Sequence, residues 1–598
     1  MTTSIQAPFG VVDMGSNGIR FAIVRTLARH LPVEYEERAP ISLLEAQGDE
    51  HVIPDETIDQ VISSFRRFQT LCQHANVDPQ AVHVIATEAT RTAANAEVFK
   101  QRIHDATGWD VTLLSKQEEA LISASGIVGA FYRVNGVTMD LGGGSLEISY
   151  VIMPSTNSIQ VAKSPVSLPY GAALLKRRLA KCETQEDRDA LYEEIVSNVR
   201  KAMEQVKFPK ELEQQDGLSV YMSGGGLRAL GYLSMSTKAV ALHIPDEQKR
   251  HAADYVSYPI PIINGYTISG QELHEFANKY MDMDPEKSTK NLRTFRVSKR
   301  RAGMVPAICF LMSALLQVIK IKQVYFSEGG VRQGFCYRLL TTDEQRKDPL
   351  IEGARVFSEQ SPHALAPKEF EAILSILEKA IPVPYMDADH PLQLCRLLPT
   401  AIYLANLTSH YPKETRAFVA FHMPLASGPL ANVPGISHHE RAVLALLLAF
   451  RQGGQVPDPI FSTVQRMVGT KETAVCKFVG RLMELVFTIS PLKPGLGVQK
   501  SGIAFETVLE NEDASTPSVA SNESGDEEWY PRACLKISLL PPKTCPLVYA
   551  PAVISVIESL GEKINSKKKF DMDEEQRSIL ESQPSLFSVK IETPCPLE

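Results

Sequence analysis

The apolar positions of this chain change period along its length, and the changes mark its architecture. Phe9-Gly-Val-Val-Asp13-Met-Gly15-Ser16-Asn17-Gly18-Ile-Arg20-Phe21-Ala-Ile-Val24 reads as two apolar strands joined by a tight polar turn. Ile58, Val61, Ile62, Phe65, Phe68 and Leu71 recur at helical spacing, and Val82–Ala86 reads as a strand. A strand-turn-strand pattern returns in Val137-Thr-Met-Asp140-Leu-Gly142-Gly143-Gly144-Ser145-Leu146-Glu147-Ile-Ser-Tyr-Val151. A helix over 186–206, a strand at Val220-Tyr-Met and a strand starting at Gln323 follow. The apolar run Ala307–Ile319 contains Ser313 and Gln317 and falls short of the ~20 residues that cross a bilayer, so it predicts a buried helix. From about residue 350 the period is helical throughout.

Composition narrows the class. A chain of 598 residues exceeds one core. Its 44% hydrophobic and 22% charged content is that of a globular protein, and a net charge of −8 argues against a general nucleic-acid binder. Nine scattered cysteines without a C-x-x-C pair, and no secretory or targeting pattern, predict reduced, mostly buried thiols in a cytoplasmic protein that neither binds nucleic acid directly nor enters a membrane.

The two glycine-containing turns carry the chemistry. Aligning Asp13 with Asp140 gives the same plan twice: strand, aspartate, apolar residue, glycine, small polar residues, strand. Either turn alone could be an ordinary glycine turn; two related lobes, each tipped by an aspartate and a phosphate-sized loop, would enclose a phosphate chain and a metal between them. The carboxylates of Asp13, Asp140 and Glu147 suit a hard divalent cation such as Mg²⁺. A third loop, Ser223-Gly224-Gly225-Gly226, leads from a strand into a helix whose N-terminus favours an anion. No G-x-x-x-x-G-K-[ST] occurs, which disfavours a P-loop NTPase. Ser115 with Glu118 reads as a capping box, which accounts for Glu118 and leaves the adjacent Glu119 without a structural role.

These loops resemble the phosphate-1 and phosphate-2 motifs of the actin, Hsp70 and sugar-kinase ATPases. Their wording is most similar to the exopolyphosphatase/guanosine-pentaphosphate phosphatase family, with its DxGSNS-x-R-L and D-x-GGGSTE motifs, and within it to a fungal retrograde-regulation branch. The resemblance covers roughly the first 500 residues. It implies an α/β fold of two ribonuclease-H-like lobes, over 1–133 and 134–345, followed by an all-α HD-like domain over 350–500. An acidic segment over 501–531, without Lys or Arg, reads as a linker, and 532–598 as a small α+β appendix with a strand at Ala533–Leu540, a helix at Ala552–Leu560 and a basic run at Lys567-Lys-Lys569.

The resemblance also implies roles. Glu119, which precedes Ala120 as the family's catalytic glutamate precedes a small residue, would prepare the attacking water, with Asp140 and Glu147 as catalytic partners that also hold metal alongside Asp13. Gly15, Ser16, Asn17, Arg20, Gly142, Gly143, Gly144, Ser145, Ser223, Gly224, Gly225 and Arg301 would bind phosphate or nucleotide. Arg91, in Ala86-Thr87-Glu-Ala89-Thr-Arg91, would fork onto a phosphate or else pair with an acid. Three positions depart from the family: Gly18 replaces a serine, Leu146 a threonine and Gly303 an aspartate. Leu146 costs a hydroxyl if it faces the cleft and nothing if it faces the core. The HD dyad reads Ala405-Asn406, which lacks metal ligands, and His438 and His439 are adjacent on a helix rather than an i, i+4 ligand pair, so a capping or scaffold role is expected. The implied function is a regulator that binds ATP, polyphosphate or an alarmone and hydrolyses its terminal phosphate, with a protein partner in nutrient or mitochondrial signalling. A phosphohydrolase without signalling, a non-catalytic scaffold and a homodimer stay open.

Overall fold

In a computed structural model, residues 8–153, 159–212, 216–243, 258–292, 294, 296–510, 530–541, 547–566 and 585–593 are described. The chain divides into two compact units: Met1–Val240 with Ile262–Pro349 and Asn432–Ile436, and Ala241–Pro261 with Leu350–Ala431 and Ser437–Glu598.

The first unit holds both predicted lobes. In one, β1 (Phe9–Gly15), β2 (Gly18–Val24), β3 (Val33–Ala39), β4 (Val82–Ala86) and β5 (Val111–Leu113) form a sheet of order β3-β2-β1-β4-β5. The hairpin β1–β2–β3 is antiparallel, and β4 and β5 run parallel to β1. The helix Asp55–His74 lays Ile58, Val61, Phe65 and Phe68 against this sheet, where Phe68 stacks on Phe21 with ring centroids 4.4 Å apart. In the other lobe, β6 (Asn135–Leu141), β7 (Leu146–Ile152), β8 (Gln160–Val161), β9 (Val166–Leu168), β10 (Leu218–Ser223), β11 (Thr267–Ser269) and β12 (Ile321–Phe326) give the order β11-β12-β10-β6-β7-β8, with β9 also on β7. Again the first two strands form an antiparallel hairpin and the next two, β10 and β12, run parallel to the first. The duplication read from the two turns is therefore a duplication of sheet topology, the ribonuclease-H-like arrangement. The predicted buried helix is Val305–Leu316, with Val305 to Leu315 all buried. No helix among the described residues is long and apolar enough to cross a membrane.

The second unit is helical, with one sheet. The helix Leu394–Ser409 carries Ala405 and Asn406, both buried; Asn406 Nδ2 donates to the His363 carbonyl at 2.7 Å, a packing role in place of the dyad's metal chemistry. His438 and His439 open the helix His438–Arg451, but its cap is Ser437, in a reciprocal capping box with Glu440; His438 is buried against Tyr258.

The expected linker needs correction at its start. Residues 503–509 form β13 (Ile503–Leu509), which pairs antiparallel with β14 (Ala533–Leu539), and β14 pairs parallel with β15 (Phe587–Glu592). Ile503 and Phe505 face inward and Thr507 is half-buried, so the acidic neighbour Glu506 reflects the outer face of a strand. The rest of the acidic segment, 511–529, and Lys567–Lys569 lie outside the described residues. Phe587 stacks on Phe478 of the helix Thr470–Ile489 at 4.1 Å, so the C-terminal strands share the core of this unit.

Candidate functional site

The ends of β1, β6 and β10 open into a cavity of about 180 Å³ in the first unit. Each lobe presents a row of side chains set by strand register. In the first lobe Asp13 on β1 faces Arg20 on β2, which faces Arg38 on β3. In the second, Asp140 on β6 faces Glu147 on β7, which faces Ser167 on β9. The duplicated aspartates thus acquire opposite companions, a basic row and an acidic row. All of these except Ser167 line the cavity, together with Glu119.

The loops between the strands complete the walls. Gly15 and Gly18 close the two-residue turn Ser16-Asn17. The carbonyls of Gly142, Gly143 and Gly144 accept from the N–H groups of Ala172, Ala173 and Gly171 at 3.0–3.1 Å, at the start of the helix Ala172–Ala180. The N–H groups of Ser16, Asn17, Gly143 and Gly144 have no protein acceptor among the described residues, which makes them a donor set for anionic oxygens. The two loops meet: a Cβ on Gly143 would lie 2.1 Å from Asn17 Nδ2, so a larger residue there would displace the Asn17 side chain. Ser223 bonds the Gly329 carbonyl, and Gly224 and Gly225 bring the N-terminus of the helix Gly225–His243 to the same cavity.

Glu119 lies in the first turn of the helix Lys116–Ala130, whose capping box with Ser115 is made by Glu118 at 2.8 and 3.2 Å. Glu119 turns inward, 7% exposed. Burial, together with repulsion from Glu88 and Asp140, pushes its carboxyl up to about 7 against the pull of Arg91. Burial likewise raises Asp13 and Asp140, and raises Glu147 well above the usual carboxylate range with Glu119 and Asp140 as repulsive neighbours. Opposite this acidic end, Arg228 is lowered to about 10 by burial and by the crowding of Arg20 and Arg301. Four carboxylates that resist ionisation beside a set of guanidiniums that repel each other describe a site short of a cation at one end and of an anion at the other.

The structure gathers Asp13, Gly15, Ser16, Asn17, Arg20, Glu119, Asp140, Gly142, Gly143, Ser145, Glu147, Ser223, Gly224, Gly225 and Arg301 on this cavity, with Gly144 adjoining in its loop. Arg91 is placed otherwise. Its guanidinium bonds Glu119 Oε2 at 2.9 Å, the Leu114 carbonyl at 2.6 Å and Glu88, and it does not line the cavity. Of its two expected roles Arg91 takes the pairing with acids: two carboxylates engage its fork, and Glu119 is held in place. Among the described residues no three His, Cys, Asp or Glu side chains come close enough to enclose a metal ion. Asp13, Asp140 and Glu147 are thus not a ready cage, but their hard oxygen donors suit Mg²⁺, which keeps waters and phosphate oxygens in most of its coordination sphere. Leu146 is fully buried in the core, so its departure from the family motif does not alter the cavity.

Thr87, from the motif that carries Arg91, also lines the cavity, as do Arg38, Arg228 and Arg300, which had no motif to announce them. Arg300 adjoins Arg301 in sequence and could have been read with it. Arg38 becomes visible only through the β2–β3 register.

Known families match the chain in two consecutive segments. The Ppx/GppA phosphatase family matches residues 22–343, and the RTG2 C-terminal domain matches residues 359–516, extending past β13. "Retrograde regulation protein 2" of Saccharomyces cerevisiae is 33% identical over 511 residues, 81% of this chain and 81% of that protein. Among solved structures, the Aquifex aeolicus Ppx/GppA family member is 21% identical, covering 55% of this chain and 96% of its own with a TM-score of 0.43. An exopolyphosphatase from Cytophaga hutchinsonii is 18% identical, covering 56% and 97% with a TM-score of 0.43. With more than half of its length matched by the family and this degree of identity to a full-length relative, the chain belongs to the Ppx/GppA phosphatase family and carries an RTG2 C-terminal domain.

Proposed function

We propose that this protein is a retrograde-signalling regulator that binds a phosphate-rich ligand (ATP, an inorganic polyphosphate or an alarmone) in the cavity of the first unit and hydrolyses its terminal phosphate. The observation that supports this reading is the pairing of the two rows: acidic Asp140-Glu147 facing basic Arg20-Arg38, with unpaired loop N–H groups between them. The loop donors and Arg20, Arg228 and Arg301 hold phosphate oxygens. Asp140 and Glu147 from one sheet and Asp13 from the other are the residues to hold Mg²⁺. That cation, when bound, neutralises charge on the phosphates. Glu119, held by Arg91 and with a proton affinity near neutrality, orients the attacking water and takes its proton. Its place beside Asp140 and Glu147 keeps it at the acidic end, where a terminal phosphorus and a metal would meet.

A regulatory output has its own support. Arg300 of the second lobe bonds Glu45 at 2.8 Å, Asn17 Oδ1 at 2.8 Å and Ser42 of the first, so ligand-dependent closure of the lobes has a latch to act on. A protein partner in nutrient or mitochondrial signalling would read that closure.

The test is phosphate release by the purified full chain with Mg²⁺ and each of polyphosphate, guanosine tetraphosphate, ATP and GTP, beside Glu119→Gln. Release that disappears in the variant supports hydrolysis. Ligand-induced thermal stabilisation without release supports a sensor, and the absence of both signals refutes the reading.

A further inference from the structure

Arg38 belongs to no motif, yet its position is unusual. It sits directly across from Arg20 in the β2–β3 register, and like charges in facing positions destabilise a sheet. Its nearest strongly interacting charges are Arg20, Arg300 and Arg301, all of the same sign. Nearby acids are already engaged: Glu45 by Arg300, and Glu36 by Arg332. Arg38 itself forms no salt bridge among the described residues, and its one hydrogen bond runs from Nη2 to the Asn17 carbonyl at 2.5 Å, on the first phosphate loop. The exposed guanidinium lies at the rim of the cavity.

Gly18 explains how it gets there. A Cβ on Gly18 would lie 2.5 Å from Arg38 Nε and 2.8 Å from Nη2. The backbone of Gly18 is not left-handed, so a serine fits its conformation, and what a side chain would lose is the space now filled by the guanidinium. The departure of Gly18 from the family motif and the seating of Arg38 are one structural change.

We propose that Arg38 is a ligand-selecting residue that extends the anion site outward along the basic row, so that the cavity favours phosphate chains continuing beyond the group held by the glycine loops. The proposal rests on the polyanion-binding reading above. Asp13 offsets Arg20 at the inner end of the row, and no acid among the described residues pairs with Arg38 at the outer end. An extended chain of phosphates supplies that missing charge more fully than a short one.

The experiment measures calorimetric affinity of the full chain for inorganic pyrophosphate, tripolyphosphate and long-chain polyphosphate, at fixed ionic strength with Mg²⁺. Arg38→Ala is expected to weaken binding by roughly tenfold or more for the long chain and progressively less for the shorter ones. Gly18→Ser, which displaces Arg38, should reproduce that gradient, and the double variant should be no worse than either single one. Arg38→Lys should recover part of the long-chain affinity. A penalty that is flat across the three ligands, or additive effects in the double variant, overturns the proposal. If Arg20→Ala abolishes binding while Arg38→Ala leaves the gradient unchanged, polyanion binding stands and the selecting role falls. If the unaltered protein binds none of the three, both fall.

Discussion

Glu119 ties stability to function in a way that one substitution can expose. In the folded protein its carboxyl titrates near about 7 rather than 4.5, with burial as the leading cause. Between those two values the folded state holds a proton that the unfolded chain has released, so stability is fully present below pH 4.5 and is lost as pH rises through about 7. At roughly 1.4 kcal/mol for each tenfold change in proton affinity, the ionised carboxylate costs about 3 kcal/mol at pH 8. Gln has the shape of the protonated acid and can still accept from Arg91. Glu119→Gln should therefore match the unaltered protein near pH 4.5 and exceed it by about 3 kcal/mol at pH 8. The assay is the thermal midpoint of the first unit without divalent cation, followed from pH 4.5 to 8.5 for both proteins. A cation that neutralises the acidic row should shrink the difference when Mg²⁺ is added. A stability difference that stays constant across this pH range would refute the argument, because it would mean that Glu119 is not charged against its surroundings.

Other changes test other parts of the structure. Gly143→Ala brings a Cβ to within 2.1 Å of the Asn17 amide and should push that side chain off its 2.8 Å bond to Arg300, lowering polyphosphate affinity several-fold while circular dichroism stays native. Phe587→Ala removes the ring stacked on Phe478; a loss of about 3–5 kcal/mol in the second unit is expected, and an unchanged unfolding transition would show the C-terminal strand to be dispensable. Ser437→Ala deletes one half of the capping box with Glu440 and should cost about 1 kcal/mol, read as a small drop in the denaturant midpoint of that unit.

Much of the fold was readable because local pattern and global topology agree. The paired turns at Asp13 and Asp140 revealed the duplication, and Ser115 with Glu118 singled out Glu119 by giving its neighbour a complete structural explanation. The failures share a cause. Which of its two expected partners Arg91 takes, a phosphate or an acid, was not legible, because only three-dimensional proximity shows that Glu88 and Glu119 reach its guanidinium. Arg38 is separated from β2 by the 25–32 connection, whose length does not determine register, so its place beside Arg20 could not be read from spacing. At 503–509 the acids dominated composition, but the alternation of Ile503 and Phe505 with polar residues carried the stronger signal, a strand with one buried face.

The basic row also constrains how this site can change over time. Asp13, Arg20 and Arg38 sit on three strands locked by ladder hydrogen bonds, and their common face follows from a repeat of two residues. Insertion or deletion of a single residue within β3 would leave the sheet paired yet rotate Arg38 to the opposite face. A ligand preference set by Arg38, as proposed above, would therefore shift through strand-length variation as abruptly as through replacement of a charged residue, and alignments that slide β3 by one position would misjudge which relatives share it.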